Sequence, residues 1–116
     1  MDQLFLLRPG FIDLKHAAKS PSYFCSHCAM IDGYLNYYPS IKDQLQIILV
    51  DFVRPRPQII ELIGEENQSC PVLVLNNAET INGNFAIQKY GETRFINDAN
   101  EITAYLASKF GSSFPH

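Results

Sequence analysis

Short apolar runs and helix-spaced stripes alternate along the chain. "LFLL" at 4–7 is continuous and apolar, as in a strand buried on both faces. "RPG" at 8–10 breaks it, and a polar loop follows through Lys19, Ser20 and Pro21. A helix is expected to start around residues 22–25, placing Cys28, Ile31, Leu35 and Tyr38 on one face. Gly33 weakens it; Pro39 and Ser40 end it. "LQIILVDFV" at 45–53 is the clearest strand, and its uninterrupted apolar run 47–50 predicts a central parallel strand. "RPRP" at 54–57 closes it. Pro57 suits the first turn of a helix with Ile59, Ile60 and Ile63 on its apolar face, ending at or soon after Gly64.

"CPVLVL" at 70–75 reads as a third strand led by a proline, and Asn76 and Asn77 as a turn. Within 78–94, Asn82-Gly83 is a hairpin signal, and "NFAIQKYG" reads as a short helix ending at Gly91. "TRFI" at 93–96 reads as the last strand. Asp98, with Glu101 three residues on, makes a capping-box-like helix start. Ile102, Tyr105, Leu106 and Phe110 give that helix its buried stripe, and Gly111 suits the position after it. The order β-α-β-α-β-β-α is a mixed-sheet α/β plan. Its 116 residues, without a dividing linker, fit one domain.

Composition narrows the function classes. A hydrophobic content of 47% fits an ordinary globular chain. The charge of −3 with scattered basic residues argues against nucleic-acid binding. No apolar run reaches the ~20 residues of a membrane span, and "MDQLFLLRPGF" lacks the basic start and cleavage site of a signal peptide. Three cysteines are too few, and odd in number, for a secreted disulfide framework. A cytoplasmic location with reduced cysteines is therefore expected.

The candidate chemistry lies in "YFCSHCAM", residues 23–30, where Cys25 and Cys28 bracket Ser26 and His27 at the first β–α junction, and in "SCP" before the third strand. With the element order, these motifs resemble the thioredoxin-like superfamily over roughly residues 2–110. "LFLLRPGF", "FCSHCAMIDG", "GEENQSCPVLVL" and "RFINDANEI" are similar, more closely, to a small bacterial family of uncharacterised proteins with that fold. The resemblance implies that Cys25 and Cys28 are the superfamily's CxxC. It also implies that Pro71 is its cis-proline, which faces the CxxC and presents backbone to a thiol or peptide. "FINDANEITAYLASKFG" resembles the end of glutathione-transferase N-terminal domains. Asp98 falls on the acidic position there, but Ala99 replaces the serine, which counts against glutathione binding.

A CxxC at a helix start has a physical logic. The thiolate is the nucleophile, and free N–H groups with the helix dipole stabilise negative charge there. Cys25 is expected to be the more exposed, attacking thiol and Cys28 the buried resolving thiol. A protonated His27 would favour the Cys25 thiolate further. Free cysteines also pack as small hydrophobes, so two buried structural thiols are the plain alternative. A metal site through Cys25, Cys28 and Cys70, with His27 or His16 as fourth ligand, is a third reading. Cys70 is either a small strand residue or a third thiol within reach of the pair. Arg54 and Arg56 can fork onto a carboxylate, or be solvated loop charges. Asp98 can take an ammonium group, or simply cap its helix. Tyr23 and Phe24 either shape the rim of a thiol groove or pack. His116 carries no readable signal.

The expected partners are thus a thiol or disulfide substrate, with glutathione possible as co-substrate, or a protein partner. No other cofactor is expected, and the oligomeric state stays open. A non-catalytic binding module is the competing function.

Overall fold

A computed structural model describes residues 1–15, 22–78 and 80–116. The chain runs β1 (Asp2–Leu7), α1 (Ser26–Tyr37), α2 (Pro39–Lys42), β2 (Leu45–Val50), α3 (Pro57–Ile63), β3 (Val72–Val74), β4 (Gln88–Tyr90), β5 (Thr93–Ile96) and α4 (Ala99–Phe110). The five strands form one mixed sheet in the order β2-β1-β3-β5-β4. β1 and β2 are parallel, and every other pairing is antiparallel.

Strand alternation divides the apolar residues between two layers. Leu4, Leu6 and Leu73 face α1, α2 and α4, where they meet Cys28, Ile31, Leu35, Ile41, Ile102 and Leu106. Phe5, Val72 and Val74 face α3 and pack on Ile59 and Ile63. At the start of β1 the Asp2 carboxylate is buried. It accepts the Asn76 N–H at 2.7 Å and pairs with Lys109 Nζ at 3.0 Å, tying the sheet to α4.

Some expectations need correction and one an addition. The 45–53 strand is shorter and lies at the sheet edge, so Leu49 is 42% exposed. An apolar run reports hydrophobic surroundings but not whether a second strand lies alongside. Pro39 does end α1, yet it also opens the short helix α2, since proline at N1 lacks only an N–H that a helix start leaves unpaired anyway. Pro71 precedes β3 rather than opening it. "NFAIQKYG" is not a helix. Ile81, Phe85 and Ile87 pack against the core, and 88–90 forms β4, whose hairpin with β5 turns at Gly91-Glu92 and not at Asn82-Gly83. Gly64, just after α3, has φ +87°, and a Cβ there would collide with the Tyr90 ring of β4.

Candidate thiol site

The sheet register brings the cysteines to one end of the molecule. β1 and β3 pair as Leu4↔Leu73 and Phe5↔Val72. Carried two residues further, that register sets Pro71 and Cys70 beside Leu6 and Leu7. The chain leaving β1 returns through a backbone bridge between Phe11 and Tyr23. It then enters α1 with Cys25 as the N-cap residue.

Cys25 has extended backbone angles (φ −77°, ψ 112°), and its Sγ accepts the Cys28 N–H at 3.2 Å. Its thiol also lies 3.9 Å from the Cys70 carbonyl oxygen, to which it donates. Cys28 is buried one turn on, and its Sγ accepts the Leu7 N–H at 3.5 Å. The peptide bond between Cys70 and Pro71 is cis, as the resemblance implied; that between Arg54 and Pro55 is cis as well, which nothing in the sequence signalled. All three cysteines are free thiols.

Burial sets these thiols apart. It pushes the Cys28 thiol up to about 12, with the hydrogen bond and charge of Cys25 adding to the rise. Burial also pushes Cys70 up to about 11, against the pull of the Arg56 and Arg54 charges. At neutral pH both are held as protonated thiols.

Cys25 opens onto a cleft of about 380 Å³ between α1 and the β1–β2 edge. Its walls are largely apolar, with Leu7, Pro9, Phe24 and Leu49, and Asp32 supplies an acidic group one turn beyond Cys28. Phe24 is 65% exposed and forms part of the rim, whereas the half-buried Tyr23 is held by the bridge to Phe11. Leu49, Pro9 and Asp32 were not singled out from the sequence. Asp32 was within reach of sequence reasoning, since it follows Cys28 by four residues on one helix face.

The other candidates separate. His27 is exposed on the first turn of α1 and makes no hydrogen bond to either sulfur among the described residues. Arg54 is exposed. Arg56 is neither solvated nor available as a fork for a carboxylate. Its guanidinium is buried, donating to the Phe52 carbonyl at 2.6 Å and the Gln68 carbonyl at 2.6 Å. Its own N–H donates to Gln68 Oε1 at 2.7 Å. Arg56 thus pins the loop after β2 to the segment leading into Cys70. Asp98 is the N-cap of α4, with Oδ2 accepting the Glu101 N–H at 2.9 Å. Glu101 turns its carboxylate to the Ala86 N–H at 2.9 Å, fastening the 80–87 segment to α4. His16 lies outside the described residues, and His116 is exposed at the chain end. Among the described residues there is no group of three or more His, Cys, Asp or Glu that could hold a metal ion. Nor is any helix among them long and apolar enough to cross a membrane.

Fold and site together define a mixed α/β protein with a cysteine pair at a helix N-terminus beside an apolar cleft. The chain belongs to the DUF3088 family, described as "Protein of unknown function (DUF3088)", whose model matches residues 1–114. No curated protein and no solved structure matches it.

Proposed function

We propose that this chain is a thiol–disulfide exchange protein of thioredoxin-like architecture, with Cys25 attacking and Cys28 resolving. The observation that carries the reading is the Cys25 sulfur at the α1 N-cap, accepting the Cys28 N–H and opening onto the cleft. Support also comes from the β2-β1-β3-β5 order of the sheet and from the Cys70 carbonyl, next to Pro71, 3.9 Å from the Cys25 sulfur.

The Cys25 thiolate attacks one sulfur of a substrate disulfide. A new S–S bond forms to Cys25, and the other substrate half leaves as a thiolate that takes a proton from water. Cys25 is then uncharged and no longer an acceptor for its neighbour's thiol, so two causes that raise Cys28 disappear. Cys28 gives up its proton to water and attacks the Cys25 sulfur, releasing the second half as a thiolate that takes a proton from water. The substrate is reduced by two electrons, and the protein is left with a Cys25–Cys28 disulfide. A low-molecular-weight thiol, glutathione among them, or a protein dithiol restores it. The same steps reversed oxidise a substrate dithiol.

The test is pH-dependent alkylation with mass mapping, alongside exchange with a small aromatic disulfide. Cys25 is expected to react well before Cys28 and Cys70, and Cys25→Ser to abolish exchange while leaving the circular dichroism spectrum intact. Equal inertness of all three thiols, or exchange that persists in Cys25→Ser, overturns the reading.

The apolar cleft favours one second reading, a binding module in which Phe24 and Leu49 hold a peptide or protein partner. Binding that survives Cys25→Ser in a chain without exchange activity would select it.

A further inference from the structure

The two edges of the sheet are built differently. β4 is three residues long, wholly exposed, and carries Lys89 at its centre. Such short, charged strands keep a sheet from pairing with another chain. β2 has six residues in full register with β1, and its sequence "LQIILV" contains neither charge nor proline. It has none of the devices that guard β4, and among the described residues it has a neighbouring strand on one side only.

The main chain shows which residues face outward. Arg8 N–H donates to the Val50 carbonyl, so the peptide groups of Val50 face β1. Alternation along the strand turns those of Gln46 and Ile48 the same way, and those of Leu45, Ile47 and Leu49 to the open side. The side chains of Leu45 and Ile47 lie on the α1 and α4 layer, and Leu49 lines the Cys25 cleft on that same face.

We propose that the chain pairs with a second copy of itself through β2, antiparallel, about a two-fold axis passing beside Ile47. In that register Ile47 faces its own copy and Leu45 faces Leu49 of the partner copy, each pair exchanging both of its N–H···O bonds. Gln46 falls opposite Ile48. Every outward peptide group of the strand finds its partner, and every strand residue brought opposite another is uncharged; Asp43 and Asp51 of the other copy come opposite one another only beyond the strand ends. This self-complementarity is what a two-fold interface requires, and it points to a second copy rather than to an unrelated strand. The pairing covers Leu49 and sets the partner's Leu45 at the outer wall of the Cys25 cleft. It does not depend on the thiols exchanging.

The test is light scattering on the size-fractionated 116-residue chain at micromolar concentration, with two variants. Ile47→Pro removes an outward N–H that β1 does not use, at a place where an edge strand accepts proline, together with a side chain partly packed on the core. Leu49→Lys puts a charge on a side chain already 42% exposed. A dimer is expected for the unaltered chain and a monomer for both variants, with unchanged circular dichroism. If one variant fails to fold, the other still decides. A monomeric unaltered chain overturns the proposal and leaves β2 to another occupant, such as an extended substrate peptide. A dimer that survives in the folded variants also overturns it, because the interface then lies elsewhere.

Discussion

The N-termini of α1 and α4 are the same device made from different atoms. At each, a residue with extended backbone angles turns its side chain onto the N–H three residues ahead. Asp98 Oδ2 accepts the Glu101 N–H at 2.9 Å, and Cys25 Sγ accepts the Cys28 N–H at 3.2 Å. Aspartate is among the strongest caps, whereas cysteine does not belong to the preferred set. Sulfur is the softer, longer-reaching acceptor, and here it holds the start of a helix that a serine or aspartate would hold better. Behind the α4 cap lie Ala99 and Ile102, buried and without ionisable groups. Behind the α1 cap lies Cys28, buried and ionisable. One terminus is built for stability. The other has a sulfur cap with a second thiol one turn on, the trade expected if the proposed exchange uses both.

The largest expected effect that separates the two ends is alkaline. Cys28 is raised from 9.0 to about 12, so the folded chain keeps this proton over a range where the unfolded chain has lost it. Its contribution is intact below about pH 9 and is lost as pH rises toward 12. The slope is at most about 1.4 kcal/mol per pH unit, reduced by solvent screening. Cys70, raised to about 11, acts in the same direction. Urea midpoints for Cys28→Ala should therefore fall less steeply than those of the unaltered chain as pH rises from about 9. Asp98→Ala should leave that slope unchanged. Identical slopes for the unaltered chain and Cys28→Ala would show that the two helix ends do not differ in this respect.

The next effect is on stability at neutral pH. Asp98→Ala removes a strong cap and should cost about 1 kcal/mol. Cys25→Ala should cost less, because the sulfur it removes is the weaker acceptor. Urea denaturation of both variants checks the order, and a larger loss at Cys25 would reverse the comparison.

The sequence made these two ends legible to different degrees, for physical reasons. Asp98, Glu101 and Gly111 act within their own helix, and local spacing is what a sequence displays; Gly111 indeed takes the left-handed conformation at φ 82°. Cys25 and Cys28 were visible for the same reason. Glu101 was half visible. Its place in the helix follows from spacing, but its bond to the Ala86 N–H depends on where the 80–87 segment folds back. Arg56 looked solvated because the carbonyls of Phe52 and Gln68 that surround it are placed by the tertiary fold. β2 looked central because an apolar strand at an edge and one at the centre have the same composition. The cleft needed Leu49 from β2 beside Phe24 from the loop before α1, a meeting that no local pattern encodes.

The smallest effect is the sharpest test of why the α1 cap is a cysteine. In Cys25→Ser the hydroxyl can still accept the Cys28 N–H and donate toward the Cys70 carbonyl, the two hydrogen bonds the thiol makes. Serine is also a preferred cap, so the variant should be as stable as the unaltered chain or more stable by about 0.5 kcal/mol. Replacing the ionisable thiol should also lower the Cys28 pKa, because the charge of Cys25 is one of the causes that raise it. Cys28 should then alkylate at lower pH than in the unaltered chain, while disulfide exchange disappears. Gained stability with lost exchange is the combination expected of a residue kept for its chemistry. If Cys25→Ser instead lost stability, the sulfur would be serving the packing of the helix start, and the likeness between Cys25 and Asp98 would extend to purpose as well as geometry.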